Sequence, residues 1–262
     1  GGVTRVSFGM KSAVPSVLAT LDRTHDPEKV PQAVAWAREA GLDVSLDLIY
    51  GTPGETIGDV ETSVKAALAC GVDHLSAYSL IIEGNTAMAR QLRRGELEAP
   101  DPDDMADKYE LVDDLARADG LSWYEVSNWA RTPQQRSRHN LAYWRGTDWW
   151  GIGPGAHRHR DGRRAWNVKH PSRYARMLAA GEMPVADSEQ VAAEDRLVEK
   201  IMLELRIADG LAVDVVPEER RPMLAVHRER GHLDPEALDD GRVVLTRQGR
   251  LLADAVIRDL VP

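Results

Sequence analysis

The chain opens on a clean two-residue alternation. In "TRVSFGMK" (residues 4–11), Val6, Phe8 and Met10 share one face while Arg5, Ser7, Gly9 and Lys11 share the other, the period of a half-buried strand. "DVSLDLIYG" (43–51) repeats the pattern, with Val44, Leu46, Leu48 and Tyr50 opposite Ser45 and Asp47. "HLSAYSLII" (74–82) reads as a third strand. Between the first two, "HDPEKVPQAVAWAREAGL" carries helix signals: Asp26 as N-cap, Pro27 at the first position and Gly41 as the stop. Between the second and third, Thr56 and Asp59 form a capping-box pair ahead of a helix that Gly71 ends. Strand, helix, strand, helix, strand predicts parallel strands with right-handed crossovers, and ligands then sit beyond the strands' carboxyl ends. Lys11 and Asp47 stand near those ends. An unpaired buried carboxylate is costly, so Asp47 is either neutralised by a neighbouring base or used in binding; Lys11 can equally snorkel to solvent.

After this alternation the pattern changes twice. Residues 101–120 ("DPDDMADKYELVDDLARADG") predict a solvated outer helix with Met105, Tyr109, Val112 and Leu115 on its buried side. Residues 121–170 hold six of the seven Trp and four of the eight His, with many Arg. From about residue 188 the chain turns helical again, through "EDRLVEKIMLELRIADG" and "RRPMLAVHRERG". A short hairpin around "DDGRVVLT" and a closing helix, "RQGRLLADAVIRDL", follow. Helices followed by a small hairpin predict a winged-helix-like module. That module is acidic, so it reads as a packing or partner domain rather than a DNA reader.

The totals narrow the function. A 262-residue chain can bury a substantial core, and its net charge of −9 argues against nucleic-acid binding. Apolar runs such as "LSAYSLII" fall far short of the ~20 residues that span a bilayer. One cysteine, Cys70, fits a reducing compartment and cannot by itself hold an iron–sulfur cluster, which takes several Cys ligands. The chain begins "GGVTRV", inside a strand pattern and without Met, and is expected to be a piece of a longer protein.

Most familiar motifs fail. "GIGPGAH" has Ala156 where a dinucleotide fingerprint needs Gly. "YGTPGET" lacks the Gly-Lys-Ser/Thr ending of a P-loop, though its amides leave a strand's carboxyl end and could face a ligand. Zinc spacing and a Gly-x-Ser-x-Gly elbow are absent. The aromatic segment has two readings: Trp and Tyr plug the end of an open barrel, or they hold a porphyrin. A porphyrin offers a stacking face, a metal that prefers imidazole and propionates that pair with Arg. "RSRHNLAYWRG" (136–146) concentrates all three partners.

"VSFGMKSAVPSVLATLDRTHD", "LDLIYGTPGET", "LSAYSLIIEGNT", "YEVSNWA" and "HNLAYWRG" together resemble the oxygen-independent coproporphyrinogen III oxidase family of radical S-adenosylmethionine proteins. "HNLAYW" is similar to the His-Asn-x-x-Tyr-Trp signature of that family's HemW-type heme chaperone branch. The resemblance implies an α/β fold: a partial parallel (β/α) radical-SAM-type barrel, here its C-terminal half, followed by a smaller α+β winged-helix-like domain. The expected divisions are 1–100 (barrel), 101–187 (a capping segment with the signature) and 188–262 (the C-terminal domain).

The resemblance also implies a function for the full-length protein: binding heme and passing it to acceptors such as respiratory proteins. S-adenosylmethionine would be contacted by Lys11, Arg23 and Asp47, and a [4Fe-4S] cluster would be held by cysteines upstream of this chain. Lys11 replaces the Gln of the family pattern. Heme would meet His139 as iron ligand or orienting group, with Asn140, Tyr143 and Trp144 around the macrocycle and His157 as second choice. No catalytic residue and no ligand of the cluster is assigned within the chain. A cytoplasmic location, transient contact with membrane proteins and a homodimer complete the expectations. The alternative is the radical oxidase itself, which decarboxylates two propionates of coproporphyrinogen III.

Overall fold

A computed structural model describes residues 2–24 and 26–262, so His25, which opens the first expected helical segment, lies outside the described residues. The chain divides into two compact units, Gly1–Arg136 and Ser137–Pro262.

The first unit is built on a five-stranded sheet. In chain order its elements are β1 (Arg5–Lys11), α1 (Pro15–Thr20), α2 (Val30–Glu39), β2 (Asp43–Tyr50), α3 (Ile57–Ala69), β3 (His74–Ser79), α4 (Ala87–Arg93), α5 (Pro102–Ala118), β4 (Ser122–Glu125) and β5 (Asn128–Ala130). The sheet order is β1-β2-β3-β5-β4. β1, β2 and β3 run parallel, as alternation with helices predicts, and β5 and β4 close the sheet antiparallel. Val44, Leu46, Leu48, Leu75 and Ala77 form the core with Val34, Val60, Val64 and Val112 from the helices. The third strand stops at Ser79, short of the expected residue 82: its apolar tail leaves the sheet and Ile81 is exposed.

Local signals act as the sequence suggests at both crossovers. Asp26 accepts from the Glu28 amide and opens a 3₁₀ turn that leads into α2. Thr56 and Asp59 make the reciprocal capping box of α3, with Asp59 Oδ2 taking the Thr56 amide at 2.8 Å and Thr56 Oγ1 the Asp59 amide at 3.2 Å. Thr56→Ala removes one arm and should cost about 1 kcal/mol; an unchanged urea midpoint would show that the carboxylate arm suffices.

α5 is an outer helix as expected, with Asp103, Asp107, Glu110 and Asp114 exposed and Tyr109 and Val112 buried, but its buried side also takes in two charges. Lys108 and Asp113 are buried on it beside Tyr109 and Val112. Both charges are stabilised by partners, and only the Asp104–Lys108 spacing of four is visible in the linear pattern. Lys108 Nζ donates to the Glu55 carbonyl at 2.7 Å and to Asp104 Oδ2 at 2.6 Å. Asp113 Oδ1 accepts the indole N–H of Trp129 at 2.8 Å.

The second unit comprises α6 (Arg138–Trp144), β6 (His157–Arg160), β7 (Arg163–Asn167), α7 (Pro171–Ala179), β8 (Val185–Gln190), α8 (Ala193–Glu204), β9 (Leu211–Ala212), α9 (Pro222–Glu229), α10 (Pro235–Asp239), β10 (Arg242–Val243), α11 (Arg247–Leu251) and α12 (Ala253–Leu260). β6, β7 and β8 form an antiparallel three-stranded sheet. Ile201, Leu205, Leu211, Val243, Val256 and Leu260 form a core of their own. The expected hairpin around "DDGRVVLT" is not one. β10 pairs antiparallel with the distant β9, and Gly241 (φ 78°) ends the turn that follows α10. The expected closing helix breaks at Leu252 (φ −109°, ψ 19°) into α11 and α12. Among the described residues no helix is long and apolar enough to cross a membrane.

Candidate functional site

The sheet face of the first unit that turns away from the core helices carries a run of polar side chains. Asp47 on β2 accepts from the Ser7 hydroxyl of β1, at 2.9 Å to Oδ1 and 3.0 Å to Oδ2. A hydroxyl, not a base, is its partner. On the other side of β2 its register partner is Ser76, which in turn pairs with Asn128, and Asn128 donates to the buried Glu125 carboxylate at 2.5 Å. One step earlier along the strands, Ser45, His74 and Tyr124 form a buried chain: Ser45 Oγ lies 2.8 Å from His74 Nδ1, and Tyr124 Oη 2.7 Å from Nε2. Burial and the Arg5 cation hold the His74 imidazole down at about 3, so it is neutral. None of Ser7, Ser76, Asn128 or His74 is marked by composition; only the strand register brings them together.

The three expected S-adenosylmethionine contacts are placed separately. Asp47 is half-buried on the polar face. Lys11 falls at a register shift, with φ 61°, and its side chain folds back over Gly9, where a β-carbon would meet Nζ at 3.1 Å. The simple alternation therefore fails at the last residue of β1. Arg23 lies exposed in the turn after α1. No hydrogen bond or ion pair joins the three. In "YGTPGET", Glu55 Oε2 accepts the amides of Gly51 at 2.5 Å and Thr52 at 3.3 Å. Burial raises the Glu55 carboxyl against the lowering effect of the Gly51 amide.

The polar face therefore offers a carboxylate and hydroxyls able to meet the charged part of S-adenosylmethionine. A [4Fe-4S] cluster finds no such fit. Cys70 caps the end of α3 with its Sγ 3.4 Å from the Ala66 carbonyl, and no cluster of metal-ligating side chains occurs among the described residues.

In the second unit, Ser137 caps α6 through the Asn140 amide, so the helix starts at the signature itself. A four-residue step puts His139 above Tyr143 and Asn140 above Trp144. The helix thus splits the signature into two pairs. His139 and Tyr143 are exposed, with their rings edge-to-face at 4.9 Å. Trp149 extends the cluster, 5.3 Å from Tyr143. Trp144 is half-buried and lines a pocket of about 190 Å³ with His159, Arg196, Glu199 and Lys200. That volume is below the ~300 Å³ at which small-molecule sites begin, so Trp144 packs toward α8 while the exposed pair is accessible to a large ligand. His157 stacks on Trp166 at 5.7 Å, the two planes 28° apart.

The sequence reasoning singled out the crowd of aromatics but missed the division of labour between Trp149 and Trp150. Trp149 exchanges backbone hydrogen bonds with His159, 2.8 and 3.1 Å, and so forms one more antiparallel rung beside β6. Neighbouring residues of an extended strand point to opposite faces. Trp149 goes to Tyr143, and Trp150 goes to Arg158 and Arg160. Gly151 follows at a point where a β-carbon would lie 1.9 Å from the His157 carbonyl oxygen, so only glycine fits.

Comparison with known proteins accounts for this combination. Residues 1–67 match the Radical SAM superfamily. The chain is 50% identical over 261 residues to the heme chaperone HemW of Mycobacterium tuberculosis, covering 99% of this chain and 66% of that protein. It is 33% identical to HemW of Bacillus subtilis, covering 97% of this chain and 69% of that one. Among solved structures, coproporphyrinogen III oxidase (HemN) from Escherichia coli superposes with a TM-score of 0.76 at 20% identity, over 99% of this chain and 64% of that one. That likeness establishes the fold: the α/β, radical-SAM-type sheet followed by a smaller C-terminal domain. The chain spans about two thirds of the length of these relatives and belongs to the HemW family of radical SAM proteins.

Proposed function

We propose that this protein binds heme and delivers it to acceptor proteins, and that His139 is the imidazole that meets the iron. The observation that carries this reading is the presentation of His139: exposed at the start of α6, braced edge-on by Tyr143, with Trp149 beyond. A neutral imidazole is a preferred iron ligand, and two further rings give a macrocycle apolar surface to lie against. Asn140 and Trp144, on the adjacent side of α6, are the further residues proposed to stand around the macrocycle. Heme is cargo here, so no catalytic residue is assigned.

His139→Ala should weaken hemin binding by at least the ~10-fold that even an outer partner of a metal ligand costs. A titration followed in the Soret band checks this. Because the ring is exposed, the variant folds normally, and unchanged affinity would remove His139 from the site.

In the full-length protein, S-adenosylmethionine would meet Asp47 on the polar face, with Arg23 toward its carboxylate and Lys11 at the strand end. Bound S-adenosylmethionine, with a [4Fe-4S] cluster held by residues outside this chain, would supply the chemistry of the superfamily. The residues of this chain bind and orient. Respiratory proteins are the proposed acceptors, reached from the cytoplasm by transient contact with membrane-bound partners, with a homodimer as the acting form.

A further inference from the structure

The β6-β7-β8 sheet has two unlike faces. On one, His159, Arg164 and Glu189 lie in a cross-strand row, and Arg164 is paired with both Glu189 and Glu199. Charge there is balanced. On the other face the rows are Arg158, Ala165, Ser188 and Arg160, Arg163, Gln190. Arg160 and Arg163 stand directly opposite each other, a like-charge pair that destabilises a sheet. Among the described residues the one carboxylate within ion-pair distance of Arg160 is that of the exposed Asp161, 3.4 Å away. Among the described residues the side chain of Arg163 donates to the Ser188 hydroxyl, at 2.7 Å. Among the described residues no carboxylate lies within ion-pair distance of Arg158 or Arg163.

Trp150 stands over this face. It is 61% exposed, with the Arg158 and Arg160 guanidinium carbons 5.7 and 5.3 Å from its ring centre. With Met183 and Val185 these residues line an open pocket of about 590 Å³, within the ~300–1,000 Å³ range of small-molecule sites. The pocket combines two features that oppose stability: a large ring left in water, and three arginines that share one lining carboxylate, that of Asp161. A single kind of ligand relieves both. A flat aromatic body covers the indole, and carboxylates accept the paired N–H groups of the guanidiniums.

We propose that this pocket is a second binding site, for a planar aromatic molecule with two carboxylates along one edge. A tetrapyrrole held by its pair of propionates is the example, and in naming it the inference rests on the heme reading above. The site is separate from His139: Trp149 shares the face of His159 and points to Tyr143, while Trp150 occupies the opposite face. Neither an imidazole nor a thiolate lines the pocket, so recognition there works through the carboxylates and the ring face and does not need iron. A protein with both sites can hold the macrocycle by its metal on one side and by its acidic edge on the other, at successive stages of a transfer.

Metal-free protoporphyrin IX, followed by its fluorescence anisotropy on the 262-residue chain, separates the two sites. The Arg158→Gln/Arg160→Gln double variant should bind it at least about tenfold more weakly, the loss of one charge-assisted contact. The dimethyl ester of the porphyrin should show the same loss on the unaltered chain, with no change to the protein at all. Because the porphyrin carries no iron, a loss of its binding reports the arginines and not an imidazole–metal bond. Equal binding of diacid and diester, an unaffected double variant, or no porphyrin binding would overturn the proposal. A failure of the heme reading looks different: hemin affinity then ignores His139 while the arginine dependence of the porphyrin persists.

Discussion

Trp129→Ala is expected to destabilise the first unit by about 4 kcal/mol, in the range for emptying a large aromatic site in a packed core. Trp129 is fully buried, the bulkiest of the completely enclosed side chains, and packs at 6.0 Å against Tyr109. Two losses add. The ring leaves a cavity that the sheet cannot collapse into, because β5 is held on both sides by β3 and β4. Its N–H also leaves Asp113, whose side chain is wholly buried, without that donor at 2.8 Å, and an under-satisfied buried carboxylate costs more than the bond itself contributes. Trp129→Phe keeps most of the volume and isolates the second term. Urea unfolding of both variants checks the sum; a loss below about 1.5 kcal/mol for alanine would mean that the core repacks.

The second large effect is a loss of stability in mild acid, centred on His74. In the fold its imidazole is depressed from 6.5 to about 3 by burial and by Arg5. The unfolded chain therefore takes up the proton first. The contribution is complete above pH 6.5, declines as pH falls below that value, and is fully lost near the folded value. At about 1.4 kcal/mol per unit, roughly 2 kcal/mol is gone by about pH 5. His227 is lowered too, chiefly by burial, and contributes with the same sign. His74→Gln keeps a polar group between Ser45 and Tyr124 but does not titrate. The difference in urea midpoints between about pH 7.5 and pH 5 should shrink in this variant; a slope as steep as that of the unaltered chain would assign the acid sensitivity elsewhere.

The parallel sheet of the first unit was legible because its signals are local. The alternation of Val44, Leu46 and Leu48 and the Thr56–Asp59 pair each speak for their own element. On α5 the apolar side was legible, but the burial of Lys108 and Asp113 was not, because it depends on Glu55 and Trp129, neither of them on the helix. "DDGRVVLT" misled for a similar reason: it has the composition of a hairpin, but the partner of β10 lies thirty residues upstream. The candidate site follows the same division. His139 and Tyr143 could be read as neighbours from helical spacing alone. The row of Ser7, Asp47, Ser76 and Asn128 exists only through strand register. The opposed faces of Trp149 and Trp150 needed only the recognition that "DWWG" is extended.

That pair of indoles, closed by a glycine that admits no side chain, makes chain length itself a functional variable. Substitution can alter the aromatic cluster beside α6 or the arginine-lined hollow one at a time. Insertion or deletion of a single residue between Asp148 and Gly151 cannot, because it exchanges the surroundings of both rings at once. This short stretch should accordingly tolerate changes of residue far better than changes of count.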